Sequence, residues 1–219
     1  MSGAIQSDRD IDYALNRITY FSNQHARPAY FCAACASEDF QQLGVTYWRR
    51  SHQLPGMYSC LTHQEGLHYV LTKNAFLQAP PATLEDCYAV ETNWTIEGST
   101  NEYVQSFLHL SLSLPNAKYP VSLAKVRAVT SQRAEDLDIA LFPEQADRHS
   151  LTDGILDRYP IEWLELLFPN ISDKLPRGVR ERINGMLRCS TSSSSIVAYL
   201  LGLCILYDNA DDVIQALHQ

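Results

Sequence analysis

Apolar residues recur at helical spacing in several separate stretches of the chain, with prolines and short polar runs between them. Near the N-terminus Ile11, Ala14, Leu15, Ile18 and Phe21 stand three or four residues apart. They follow Ser7, a candidate N-cap, and Asp8 and Asp10, which favour the positive end of a helix. This spacing predicts a helix over 8–23, ended by Arg27-Pro28. The same period later in the chain predicts helices over 84–93, 101–112, 121–133, 151–167, 176–188, 195–206 and 210–218. Pro115, Pro120, Pro143 and Pro169 supply breaks between them. Asn209 and Asp212 form a candidate capping pair for the last helix, and the Thr/Ser run 191–195 reads as a loop capping the helix after it.

The pattern changes between 29 and 70, which hold three of the six Cys and three of the seven His residues together with Tyr47, Trp48 and Gly56. Two short apolar runs, 57–61 and 67–71, flank Gln64-Glu65-Gly66 and predict a small hairpin. Consecutive prolines in Ala79-Pro80-Pro81-Ala82-Thr83 mark a boundary, because they supply no amide donors. The predicted organisation is an N-terminal helix and a compact Cys/His module over 1–80, then a helical domain over 81–219. The fold class is mainly α with a small zinc-ribbon or knuckle-like module near the N-terminus.

Composition narrows the function classes. The chain has 219 residues, 46% hydrophobic and 19% charged, which is the composition of a folded protein. Its net charge of -8 falls wholly in residues 81–219, so it lacks the global field of a protein that binds nucleic acid by phosphate neutralisation alone. The longest nearly uninterrupted apolar stretch, 196–207, is 12 residues. A bilayer span needs about 20, and no N-terminal segment resembles a signal peptide. A soluble, cytoplasmic protein with no membrane partner is the expectation. In a reducing compartment six cysteines point to metal or redox chemistry rather than disulfides.

Their spacing favours metal. Cys32-Ala33-Ala34-Cys35 is followed, after 24 intervening residues, by Cys60-Leu61-Thr62-His63. Two residues between paired ligands let one tight turn aim both side chains at a single ion, and Zn2+ takes four such ligands in a tetrahedron. A closed set of four protein ligands is structural, since catalytic zinc keeps a position for water. A redox dithiol would place the first cysteine at a helix N-terminus after a strand, and Arg-Pro-Ala-Tyr-Phe precedes it here. His52 and His68 are alternatives to His63 but lack the two-residue spacing. Cys87, Cys189 and Cys204 lie in apolar patterns and read as small buried hydrophobes.

Between the ligand pairs run Glu38-Asp39, then Gly44-Val45-Thr46-Tyr47-Trp48-Arg49-Arg50-Ser51-His52-Gln53-Leu54-Pro55-Gly56. In this order the motifs resemble the zinc module of the TniQ/TnsD family, target-selection proteins of Tn7-like transposons. The dense match covers 32–68, with a looser one over 161–217. The resemblance implies a non-enzymatic adaptor that recognises attachment-site DNA or an RNA-guided complex and recruits an AAA+ ATPase regulator. It departs from the family at Ala33, where a proline is usual, and in its short N-terminal region.

Read as residues alone, Tyr47, Trp48 and Leu54 are core candidates, and Arg49 and Arg50 can reach phosphate, an acidic partner surface or water. A second basic cluster, Lys174, Arg177, Arg180, Arg182 and Arg188, sits on a predicted helix and is a candidate for nucleic-acid contact or a solvated face. No Walker A, GxGxxG, GxSxG or HExxH motif occurs, and His109 and His149 are isolated, so no enzyme is expected. The alternative to the adaptor is a zinc-stabilised DNA-binding regulator acting without an ATPase. A second copy of the chain is a further candidate partner.

Overall fold

The computed structural model of the chain describes residues 28–72, 74–81, 87–90, 92–114, 121–140, 148–168, 171–173, 183 and 196–218. The predicted helices over 8–23 and 176–188, apart from Ile183, and the loop 191–195 lie outside them. Contacts divide the chain into two compact units, one within Ser22–Asn101 and one including Glu102–Gln219.

The first unit is built on a three-stranded antiparallel sheet. Strand β1 (Ala29–Phe31) pairs with β2 (His68–Val70), which pairs with β3 (Tyr88–Ala89). The register sets Tyr30 opposite Tyr69, and Tyr69 opposite Tyr88. These rings lie 5.7 and 5.4 Å apart on one face, while Ala29 and Phe31 turn to the buried face. The predicted hairpin is present in part. Ser59 bridges to Gly66, but β2 itself pairs with a strand almost forty residues earlier. Residues 88–89, expected in a helix over 84–93, are strand because β2 offers them a ladder, and helix α2 (Thr92–Thr100) begins only beyond them.

Helix α1 (Ala33–Leu43) is not expected from the sequence, and it places Cys32 at a helix N-terminus directly after β1. The strand-then-helix setting of a redox dithiol is therefore present after all; what favours metal is that Cys60 and His63 close on the same point. The N-cap of α1 is Cys32, and the helix ends at Gly44, whose φ of 73° lets its N–H reach back to the Phe40 carbonyl. A 3-10 turn follows at Arg50–Gln53.

In the second unit, helices α3 (Glu102–Ser113), α4 (Leu123–Asp136), α5 (Leu151–Arg158) and α8 (Ala210–His218) surround α7 (Ile196–Leu206). Helix α7 is apolar on every side and buried from Val197 onward, as a central helix must be. A Cβ at Gly154 would stand 3.1 Å from Ile205, so a glycine lets α5 approach α7 closely. Arg133 caps α7 by donating to the Leu206 carbonyl.

The predicted helix 151–167 is two helices, α5 and α6 (Ile161–Leu167). Pro160 disfavours helical backbone at Tyr159, which is extended. The Asn209–Asp212 capping pair is present, with Asp212 N–H donating to Asn209 Oδ1 at 2.9 Å. The eight helices among the described residues agree with the mainly α class, and none is long and apolar enough to cross a membrane.

Trp163 is fully buried, stacked on Tyr159 at 5.6 Å and edge-on to Phe107 at 5.3 Å. Trp163→Ala is expected to destabilise this unit by about 3–5 kcal/mol, read by urea unfolding.

Candidate metal centre

Cys32 Sγ, Cys35 Sγ, Cys60 Sγ and His63 Nδ1 all lie within 4.8 Å of one another. His63 Nδ1 is 3.5, 3.3 and 3.6 Å from the three sulfurs in that order, and Cys35 and Cys60 are 3.5 Å apart. Zinc bond lengths of about 2.3 Å to sulfur and about 2.0–2.1 Å to nitrogen give tetrahedron edges of roughly 3.5–3.8 Å. The donor set therefore has the size and the chemistry that a tetrahedral ion requires, and the cluster can hold a metal ion.

Each half of the site follows from a local turn. Cys32 caps α1, so its Sγ accepts from the Cys35 N–H at 3.5 Å and both sulfurs face the positive end of the helix. In the other half the chain turns back on itself. Gln64 N–H donates to the Cys60 carbonyl at 2.7 Å, Gln64 takes a left-handed φ of 57°, and Cys60 N–H donates to Glu65. The N–H groups of Thr62 and His63 are thereby aimed at Cys60 Sγ.

Burial and the neighbouring thiols push Cys32 and Cys35 up. At Cys60 burial acts in the same direction, but hydrogen bonds from His63 and Thr62 outweigh it and bring the thiol down to about 7. A bound divalent cation would supply the charge that lets all three ionise.

A second layer holds the ligands in place. Glu38 Oε1 takes a hydrogen bond from His63 Nε2 at 3.0 Å, fixing the ring with Nδ1 toward the sulfurs and raising the imidazole's pKa. His52, an alternative ligand by sequence, sits behind Cys35 instead. It is buried, its Nε2 is 4.0 Å from Cys35 Sγ, and burial with the nearby Arg49 charge lowers its pKa to about 4. His68 lies in β2 against Phe31.

The residues between the ligand pairs build the same frame. Arg49 binds buried Asp39 through both Nε and NH2, at 3.3 and 2.7 Å. Gln53 satisfies both backbone groups of Tyr30: Oε1 accepts from its N–H and Nε2 donates to its carbonyl. Pro55 and Gly56 occupy the middle of a turn closed by Met57 N–H on the Leu54 carbonyl, with Gly56 at φ 77° as a type II turn requires.

Trp48 packs between Phe31 and Phe76 and donates to the Gln78 carbonyl, but it is half-buried rather than part of the buried core. Tyr47 is not core. It is 48% exposed and lies beside the Arg49 guanidinium, while Leu54 is only half-buried.

Arg49 and Arg50, alike in the sequence, differ in the fold: Arg49 is tied to Asp39 and Arg50 is exposed. What no local pattern signalled is Asp39, ten positions before its partner. Cys204 is buried as expected, whereas Cys87 is half-buried and outside any helix. Cys189 and the basic cluster Lys174, Arg177, Arg180, Arg182 and Arg188 lie outside the described residues.

Together these features define a small module in which three cysteines and a histidine close around one point and could hold a metal ion. Residues 4–67, which contain all four, match the TniQ family model. No curated protein and no solved structure matches the chain.

Protons compete with metal for three thiolates and an imidazole, so metal affinity is expected to fall as pH falls. Glu38→Gln is expected to weaken affinity roughly 10–100-fold, measured by competition with a zinc indicator. Arg49→Ala leaves a buried carboxylate unpaired and is expected to lower stability by about 3 kcal/mol. Arg50→Ala should change it by less than about 0.5 kcal/mol in the same thermal unfolding measurement.

Proposed function

We infer that the chain is a non-enzymatic adaptor of Tn7-like transposition. In this reading it recognises a target, either attachment-site DNA or an RNA-guided complex, and recruits an AAA+ ATPase regulator. The observation that carries it is the coincidence of two findings on one stretch. The residues that match TniQ are those that bring Cys32, Cys35, Cys60 and His63 together.

Zn2+ is the metal proposed, because three sulfurs and one nitrogen at tetrahedral spacing are its preferred donors. Bound there it would stabilise the fold of the module and leave no coordination position for water, so the site serves shape and not catalysis. Arg50 and the basic residues Lys174, Arg177, Arg180, Arg182 and Arg188 are the proposed contacts to a partner or to DNA. Arg49 is assigned to holding Asp39.

The test is affinity purification of the tagged chain from its own host lysate, with and without nuclease, reading recovered proteins for an AAA+ ATPase by mass spectrometry. Recovery of the ATPase after nuclease treatment is expected. Recovery of nucleic acid alone would replace the adaptor with a zinc-stabilised DNA-binding regulator.

A further inference from the structure

Between the end of α1 and the 3-10 turn, the chain bends at Gly44 and Val45 and then belongs to neither helix nor strand, and the side chains of 45–48 alternate in exposure. Thr46 and Trp48 face inward, donating to the Pro80 and Gln78 carbonyls at 3.0 and 2.6 Å. Val45 and Tyr47 face outward, 60% and 48% exposed. This is the period of a β-strand. Yet the backbone N–H and C=O groups of 45–48 make no hydrogen bond with any described residue.

Such an edge pairs readily with an extended chain, and proteins usually blunt it with lysine, proline or a bulge. Residues 45–48 contain neither residue. Beside it, Phe40 and Leu43 on α1 are 60% and 62% exposed, extending the apolar surface.

Glu38 is engaged by His63 and Asp39 by Arg49, whereas Arg50, directly after the edge, is exposed with no ion pair among the described residues.

We propose that residues 45–48 are a docking edge for an extended segment of a partner protein. That segment adds a strand by main-chain hydrogen bonds, rests alternate apolar side chains on Phe40, Leu43, Val45 and Tyr47, and places a carboxylate against Arg50. The edge is a property of the module. Only the identity of its owner, the ATPase regulator, rests on the adaptor reading.

The experiment titrates the full metal-loaded chain into two fluorescent peptides, one alternating valine with glutamate and one alternating valine with lysine. The glutamate peptide is expected to bind, protecting the amides of 45–48 from hydrogen exchange, and the lysine peptide to bind at least about tenfold more weakly. Arg50→Glu should reverse that preference, and Val45→Asp should weaken binding about tenfold, both with metal content unchanged.

Absence of binding, or a preference that Arg50→Glu does not move, would overturn the proposal. So would a concentration-dependent dimer of the chain abolished by Val45→Asp, which would assign the edge to a second copy. Binding of the purified ATPase to the same variants separates the two readings. Peptide binding without ATPase binding would refute the adaptor's partner and leave the edge. ATPase binding indifferent to Val45→Asp and Arg50→Glu, with no peptide bound, would refute the edge and leave the adaptor.

Discussion

Three thiols and an imidazole drawn within 4.8 Å of one another set up a demand that protein groups alone do not meet. Ionised, the sulfurs repel across distances of about 3.5 Å; protonated, they contribute little beyond packing. A divalent cation would reverse both effects, and the elements that carry these side chains are short. Strand β1 has three residues and the knuckle at Cys60 has no regular structure beyond one bridge. In the proposed zinc-bound form, the ion's binding free energy would add to the folding free energy of the module.

The motifs that tie this stretch to TniQ are accounted for by that demand. Glu38 orients His63, Asp39 anchors Arg49, and Gly44 ends the helix that carries Cys35. Trp48 covers the sheet, His52 backs Cys35, Gln53 closes the free edge of β1, and Pro55 with Gly56 turns the chain toward Cys60. Side chains of these types at these places make a frame. The residues left over, Val45, Tyr47 and Arg50 on its surface, are not needed to hold it, and surface residues free of structural duties are where recognition is built.

The ligand set was readable in the sequence because two-residue spacing is a local constraint: one turn must aim both side chains at one ion. The last helix boundary in the second unit was readable because cap and apolar period agree at Asn209, whereas the helix expected from 121 begins only at Leu123, after its cap Ser122. Helix α1 was not, because Ala-Ser-Glu-Asp-Phe-Gln-Gln has little apolar period and its start depends on Cys32 acting as a cap. Nor was the exposure of Tyr47. Its place is set by the Asp39–Arg49 ion pair, formed between a helix and a loop whose approach only the folded chain reveals. The strand at 88–89 escaped for the same reason, since two residues pair as strand only when β2 is already there to receive them.

The frame also explains why a surface edge can be rigid without being paired. Residues 45–48 are held by side chains and not by a ladder: Thr46 and Trp48 are hydrogen-bonded on the inner side, and Gly44 and Arg49 fix the two ends. Arg49 reaches Asp39 on α1, the helix that is capped by Cys32 and holds Cys35 in its first turn. The metal centre and the edge are thus joined by one helix and one ion pair. An edge pre-set in this way loses little conformational entropy when an incoming strand binds, so a short segment can suffice where a flexible loop would need a larger contact.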